Sequence, residues 1–105
     1  MSGYALTPLA KADIFDIWSY IASDSEHFAD RVEHAIFDAC EFLAEAPMRG
    51  HRDPRFTPRD LRFWTLTRYP NYTVVYRGDT SPIQIVAVLH GKRNVRSILR
   101  GRFGN

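Results

Sequence analysis

The chain has 105 residues, 45% of them hydrophobic and 25% charged, with a formal net charge of +2, which is the length of one core and the composition of an ordinary globular protein, so a single domain over residues 1–105 is expected. No apolar run approaches the roughly 20 residues of a membrane span, and "MSGYALTPLAKAD" has neither the cationic start nor the apolar stretch of a secretion signal, so no membrane partner is expected and the cytoplasm is the default. The net charge conceals a split: residues 1–46 carry two cations against nine acids, a net of −7, and residues 47–105 carry twelve cations against three acids, a net of +9.

Such polarity suits an acidic partner for the second half, or mutual attraction of the two halves within the fold. In chain order, "GYALTP" alternates weakly and predicts a short strand, after which Thr7 and Pro8 supply an N-cap and a first-turn proline. Ala10, Ile14, Ile17, Trp18 and Ile21 then recur at three and four, which predicts a helix to about Ala22. "SDSE", Ser23 to Glu26, has the spacing of a capping box, so a second helix is expected to begin there. Phe28, Val32, Ala35, Ile36, Ala39, Phe42 and Leu43 form its apolar stripe, and Pro47 ends it. The two helices should form an antiparallel hairpin.

The opposite face of the second helix carries His27, Asp30, His34, Asp38, Glu41 and Glu45. His27, Asp30 and His34 fall near one line, as metal ligands would, but a solvated polar face has the same pattern and no cysteine joins them; no metal and no cofactor are expected. The single Cys40 flanks the apolar stripe, where it is expected to be buried as a small hydrophobe. It cannot form an internal disulfide, in keeping with a reducing compartment.

From Pro47 to Asp60, "PMRGHRDPRFTPRD" holds three prolines and four arginines and predicts an irregular connection. Its cations, Arg49, Arg52, Arg55 and Arg59, alternate with Phe56 and run toward Phe63 and Trp64, a mixture that can stack on and neutralise nucleic acid. Aromatics in strands more often serve the core, so direct nucleic-acid contact is not expected on its own. Three strands follow: "LRFWTLT", then a turn with Pro70 and Asn71 at its middle, then "YTVVYR", then a break at Gly78 and Asp79 before "PIQIVAVLH". The last is apolar at Ile83, Ile85, Ala87 and Leu89 and also at Val86 and Val88, so both of its faces should be covered and it should lie centrally. The tail "NVRSILRGRFGN" can make one or two helical turns before fraying.

The ordered stretches "LAKADI", "IWSYIA", "FLAEAPMRG", "DLR", "YTVVYR" and "VAVLHGKRN" resemble the RelE/ParE superfamily of toxins from bacterial type II toxin–antitoxin pairs, over nearly the whole chain. The "LHGKRN" ending and the long first helical hairpin are most similar to the ParE branch. The resemblance implies an α+β, RelE/ParE-like fold: an N-terminal strand and helical hairpin packed on a small, mainly antiparallel sheet, β-α-α-β-β-β, with a short C-terminal helical segment. It also implies neutralisation by a small cognate antitoxin and inhibition of DNA gyrase, without enzymatic activity. The antitoxin's C-terminal segment is expected along the sheet and helices, by strand addition or helix-in-groove docking.

Two alternatives stay open. A RelE-like mRNA interferase needs convergent acid–base groups beside arginines, for which Arg62, His90 and Arg93 are the candidates. The RelE branch commonly carries an aromatic or histidine proton-transfer residue near its C-terminus, where this tail offers only Phe103. An inactive member that only binds its antitoxin is the other alternative. For the target-binding surface the expectation falls on the C-terminal rim: Lys92, Arg93, Arg96, Arg100, Arg102 and Phe103, five cations and one aromatic gathered just after the most apolar strand.

Overall fold

The computed structural model describes residues 3–53, 61–91 and 95–103, the last without the side chains of Arg96 and Phe103. The chain runs β1 (Tyr4–Leu6), α1 (Pro8–Ala22), α2 (Glu26–Glu45), β2 (His51–Arg52), β3 (Leu61–Thr65), β4 (Tyr72–Arg77), β5 (Ile83–His90) and α3 (Val95–Phe103). Its architecture is α+β. One five-stranded sheet has the order β1-β5-β4-β3-β2, antiparallel throughout except that β1 pairs parallel to β5. The short β2 is a correction to the expected irregular connection: His51 and Arg52 pair with Phe63 and Arg62 at the sheet edge, and two residues carry no periodic signal from which a strand could be read.

Local chemistry sets the helix ends. Thr7 Oγ1 accepts from Ala10 N at 3.1 Å with Pro8 in the first turn. The second helix departs from expectation at its start: the N-cap is Ser25, whose hydroxyl accepts from Phe28 N at 3.1 Å, while Ser23 closes α1 and its hydroxyl donates to the Tyr20 carbonyl at 2.7 Å. The capping box therefore does not form, because Ser23 is spent on the end of the preceding helix. Ala10, Ile14, Ile17 and Ile21 of α1 are buried against Ala29, Val32, Ile36, Ala39, Cys40 and Leu43 of α2 and one face of the sheet. Trp18 Nε1 donates to Asp30 Oδ1 at 2.8 Å and ties the two helices together on the solvent side.

A bulge in β5 explains its two apolar faces. Val75 opposes Ala87 but Tyr76 opposes Ile85, which leaves Val86 as an extra residue. Ile83, Ile85 and Val88 consequently face the helical hairpin, whereas Val86, Ala87 and Leu89 face the other side, where they meet Leu61, Phe63, Val75 and Leu99 of α3. The expectation that both faces of β5 are covered is met, with α3 covering the second. Gly91 then leaves the strand at φ +57°, a left-handed conformation that glycine adopts without strain, and its N–H donates to the Asn71 carbonyl.

Tyr76 and Gly50 fix the start of β2 against the sheet. The buried Tyr76 hydroxyl donates to Pro47 O at 2.6 Å and accepts from Gly50 N at 2.8 Å. A Cβ at position 50 would stand 2.5 Å from that oxygen and 2.7 Å from Cε1 of the ring. Gly50→Ala is therefore expected to cost about 1–3 kcal/mol through overpacking. Tyr76→Phe should cost a similar ~1–3 kcal/mol by leaving Gly50 N–H without its acceptor. Because the phenylalanine lacks the oxygen that an alanine at position 50 strikes, urea melts of the double variant should show a loss smaller than the sum of the two.

Burial pushes the Cys40 thiol up to about 12 from its ordinary value near 9, with the neighbouring Glu41 charge adding to the effect. The unfolded chain releases this proton at lower pH than the native one, so the stability that Cys40 contributes is intact below about pH 9 and is lost as pH rises toward about 12. At pH 8 a thiol reagent is expected to label Cys40 only at the rate of unfolding; fast labelling of the native protein would contradict its burial.

Candidate functional site

β1 ends at Leu6, and its last contact with β5 is Thr7 N donating to Ile85 O at 3.1 Å. Beyond Ile85 this edge of β5 has no neighbouring strand among the described residues, and two side chains take over its backbone groups. Val88 N donates to Asp13 Oδ2 at 2.9 Å, and Arg102 Nη1 donates to Val86 O at 3.0 Å. The two side chains also hold each other, Arg102 Nη1 to Asp13 Oδ2 at 2.8 Å and Arg102 Nη2 to Asp13 Oδ1 at 2.6 Å, with side-chain exposures of only 16% and 14%. The pair is bidentate and largely desolvated, a geometry well matched to guanidinium and carboxylate.

Arg102 must accordingly be withdrawn from the expected target-binding rim, since its guanidinium is used inside the fold. The expected short C-terminal helical segment is α3, which buries Leu99 to 1% exposure and packs Val95 and Ile98 beneath the sheet. Of the other expected rim residues, Arg100 is exposed on α3, whereas Lys92, Arg93 and the side chains of Arg96 and Phe103 lie outside the described residues. Asp13 was a missed signal: it falls at the i+3 position of the stripe Ala10, Ile14, Ile17, and a carboxylate on a core face needs a cation.

The basic connection does not form one patch among the described residues. Arg49 folds back on α2, with its guanidinium 3.8 Å over the Phe42 ring, Nη1 donating to the Phe42 carbonyl at 2.6 Å and lying 3.5 Å from Glu45 Oε1. Arg52 lies on β2, and Arg55 and Arg59 lie outside the described residues. The half-buried Arg62 donates from Nη1 to Gly50 O at 2.9 Å and so braces β2. Arg62 opposes Tyr76 while His90 opposes Tyr72, which puts them roughly 13 Å apart along the sheet at the usual strand rise. The acid–base cluster of an interferase is not assembled from these two, and Arg93 lies outside the described residues. His90 instead stacks on Tyr72, with ring centroids 4.9 Å apart and an interplanar angle of 19°.

Among the described residues no group of three His, Cys, Asp or Glu could hold a metal. In the line His27, Asp30, His34, Asp30 is engaged by Trp18, and His34 turns to Asp38 at 3.6 Å.

Among the described residues, recesses lie on both flanks of the helical hairpin. One, of about 560 Å³, lies between α2 and the β3–β4 turn. Its floor is Ala35, Ala39, Phe42, Trp64, Leu66 and Tyr69, and its rim holds Arg31, His34, Asp38 and Arg68. Phe42 packs on Trp64 at 5.4 Å and Phe28 meets Tyr69 edge-on at 5.8 Å. Phe28 and Phe42, members of the expected apolar stripe of the second helix, are 43% and 41% exposed. Sequence does carry the cue: Phe28, Ala35 and Phe42 repeat at seven and make a second apolar line beside the core line. The other recess, of about 420 Å³, lies between α1 and the ends of β4 and β5, and is lined by Asp13, Asp16, Ile17, Tyr20, Tyr72, Val88 and His90.

A helical hairpin on one face of a mostly antiparallel sheet, a parallel N-terminal edge strand and a C-terminal helix beneath define the ParE-like class of toxin folds. The family model of the ParE toxin of the type II toxin–antitoxin system parDE matches residues 4–95, and the chain belongs to that family. A chain of the solved chromosomal ParDE toxin–antitoxin system from P. aeruginosa shares the fold, with a TM-score of 0.71 at 22% identity over 88% of this chain and 98% of that one. No curated relative matches the sequence. No helix among the described residues is long and apolar enough to cross a membrane.

Arg102→Ala would leave the Asp13 charge largely desolvated without its partner. It is expected to cost about 3 kcal/mol and to lower Tm by roughly 10–20 °C. The exposed Arg100→Ala should stay within about 0.5 kcal/mol of the parent. Thermal melts of the two variants side by side test whether the tail is structural at 102 and free at 100.

Proposed function

We propose that this chain is a cytoplasmic growth-arresting toxin that inhibits DNA gyrase and is neutralised by a cognate antitoxin. Membership of the ParE toxin family, matched over residues 4–95, carries this reading. The geometry supports it through the recess beside α2, which has an apolar, aromatic floor and a rim where Arg31 and Arg68 make no ion pair with a described residue. An acidic amphipathic segment suits such a groove: its apolar side would fill the floor over Phe42 and Trp64, and its carboxylates would meet the rim. This docking mode is favoured over strand addition at β5, where Asp13 and Arg102 already occupy the backbone groups of Val86 and Val88.

The gyrase-facing surface is placed on the C-terminal cations Lys92, Arg93, Arg96 and Arg100 together with Phe103. Arg102 leaves that set. The separation of Arg62 from His90 along the sheet disfavours the interferase reading, in which both would have to reach one phosphate.

Expression alone is expected to stop growth, and co-expression with the antitoxin to restore it. Purified protein should inhibit gyrase supercoiling and leave ribosome-bound mRNA intact, with His90→Ala as toxic as the parent. Codon-phased cleavage abolished by His90→Ala would establish the interferase instead, since a lost general acid or base costs about 100-fold to 10,000-fold in rate. Arg31→Glu/Arg68→Glu should weaken antitoxin binding about tenfold while leaving toxicity intact, so that co-expression rescues poorly. Normal growth at high expression of folded protein would leave only a member that binds its antitoxin.

A further inference from the structure

The second recess has a chemistry opposite to that of the first. Asp13, Asp16, Ile17 and Tyr20 occur at i, i+3, i+4 and i+7, so α1 presents them together toward the open edge of β5. Asp13 is consumed by Arg102 and Val88. Asp16 is not: it is exposed at the mouth of the recess and makes no hydrogen bond or ion pair with a described residue. Three rings from three elements line the same recess. Tyr72 of β4 and His90 of β5 stack as a nearly parallel pair, and Tyr20 of α1 stands 6.5 Å from His90 at 44°. Tyr20 is 75% exposed, a large aromatic surface left in water beside an unpaired carboxylate. Burial, and then the neighbouring Tyr20 phenol, push the Tyr72 hydroxyl above its ordinary value of 10, so the Tyr72 ring is neutral at physiological pH.

We propose that this recess binds a guanidinium group, the side chain of an arginine on a partner protein. A planar, weakly hydrated cation can lie against the exposed face of Tyr20 while its N–H edge meets the Asp16 carboxylate. The chain itself uses the same contact at Arg49, whose guanidinium lies 3.8 Å over Phe42. A volume of about 420 Å³ accommodates one such side chain with its stem. Anionic ligands are disfavoured by Asp16, and a compact ammonium would forgo both the stacking and the fork of parallel hydrogen bonds. The inference does not depend on what fills the recess beside α2, which lies on the other flank of the hairpin and has a cationic rim.

The test is titration of the full chain with N-acetylargininamide, followed by amide and aromatic NMR, with N-acetylcitrullinamide as the neutral isostere. Saturable shifts at Tyr20, Tyr72, Val88 and His90 are expected from the arginine compound at millimolar concentration, weakened by salt and absent with the citrulline compound. Tyr20→Ala and Asp16→Asn should each weaken binding about 2- to 5-fold, and both are exposed changes that leave the rest of the spectrum in place. Shifts that do not saturate, that the citrulline compound reproduces, or that survive unchanged in the folded Asp16→Asn/Tyr20→Ala variant would overturn the proposal.

Discussion

The ion pair between Asp13 and Arg102 holds three elements in register. β1 is only three residues long and cannot cover an eight-residue β5, so one edge of the central strand has, among the described residues, a stretch of backbone with no partner strand. An unpaired buried N–H or C=O costs about 1–3 kcal/mol, and here Asp13 from α1 and Arg102 from α3 supply the missing acceptor and donor. The pair thereby joins the helix above the sheet to the helix below it through the edge of the sheet. Neither charge could be kept out of water alone.

That arrangement shapes what the surface offers. With the edge of β5 closed by side chains, the hairpin sits over the sheet and leaves a groove along each flank, one bordered by α2 and β3, the other by α1 and β5. The grooves carry opposite charge. On the α2 side, Arg31 and Arg68 stand over an apolar floor; on the α1 side, Asp16 stands among rings. Two chemically distinct surfaces of this kind can each reject the ligand suited to the other.

The charge split between the halves is realised within the fold in pairs of very different weight. Arg49 and Glu45 meet at 3.5 Å with the carboxylate 72% exposed, and such a contact contributes little. Asp13 and Arg102 meet at 2.6 Å largely out of water. The exposed cations are left to solvent and to partners, where they serve attraction and orientation more than the stability of the fold.

The helical hairpin, the order of the main strands, the covered faces of β5 and the family were legible in the sequence by itself, because apolar periodicity and caps act between residues a few positions apart. The exact partners of charged and aromatic side chains were not. Nothing local distinguishes Arg102, committed to Asp13 across 89 positions, from the exposed Arg100 two residues earlier. Ser23 and Ser25 are equally good caps until the end of α1 claims the first. The distance between Arg62 and His90 depends on strand pairing and register. The tertiary structure alone decided these points, since each is settled by which groups meet through space and compete for the same hydrogen bond, ion pair or apolar surface.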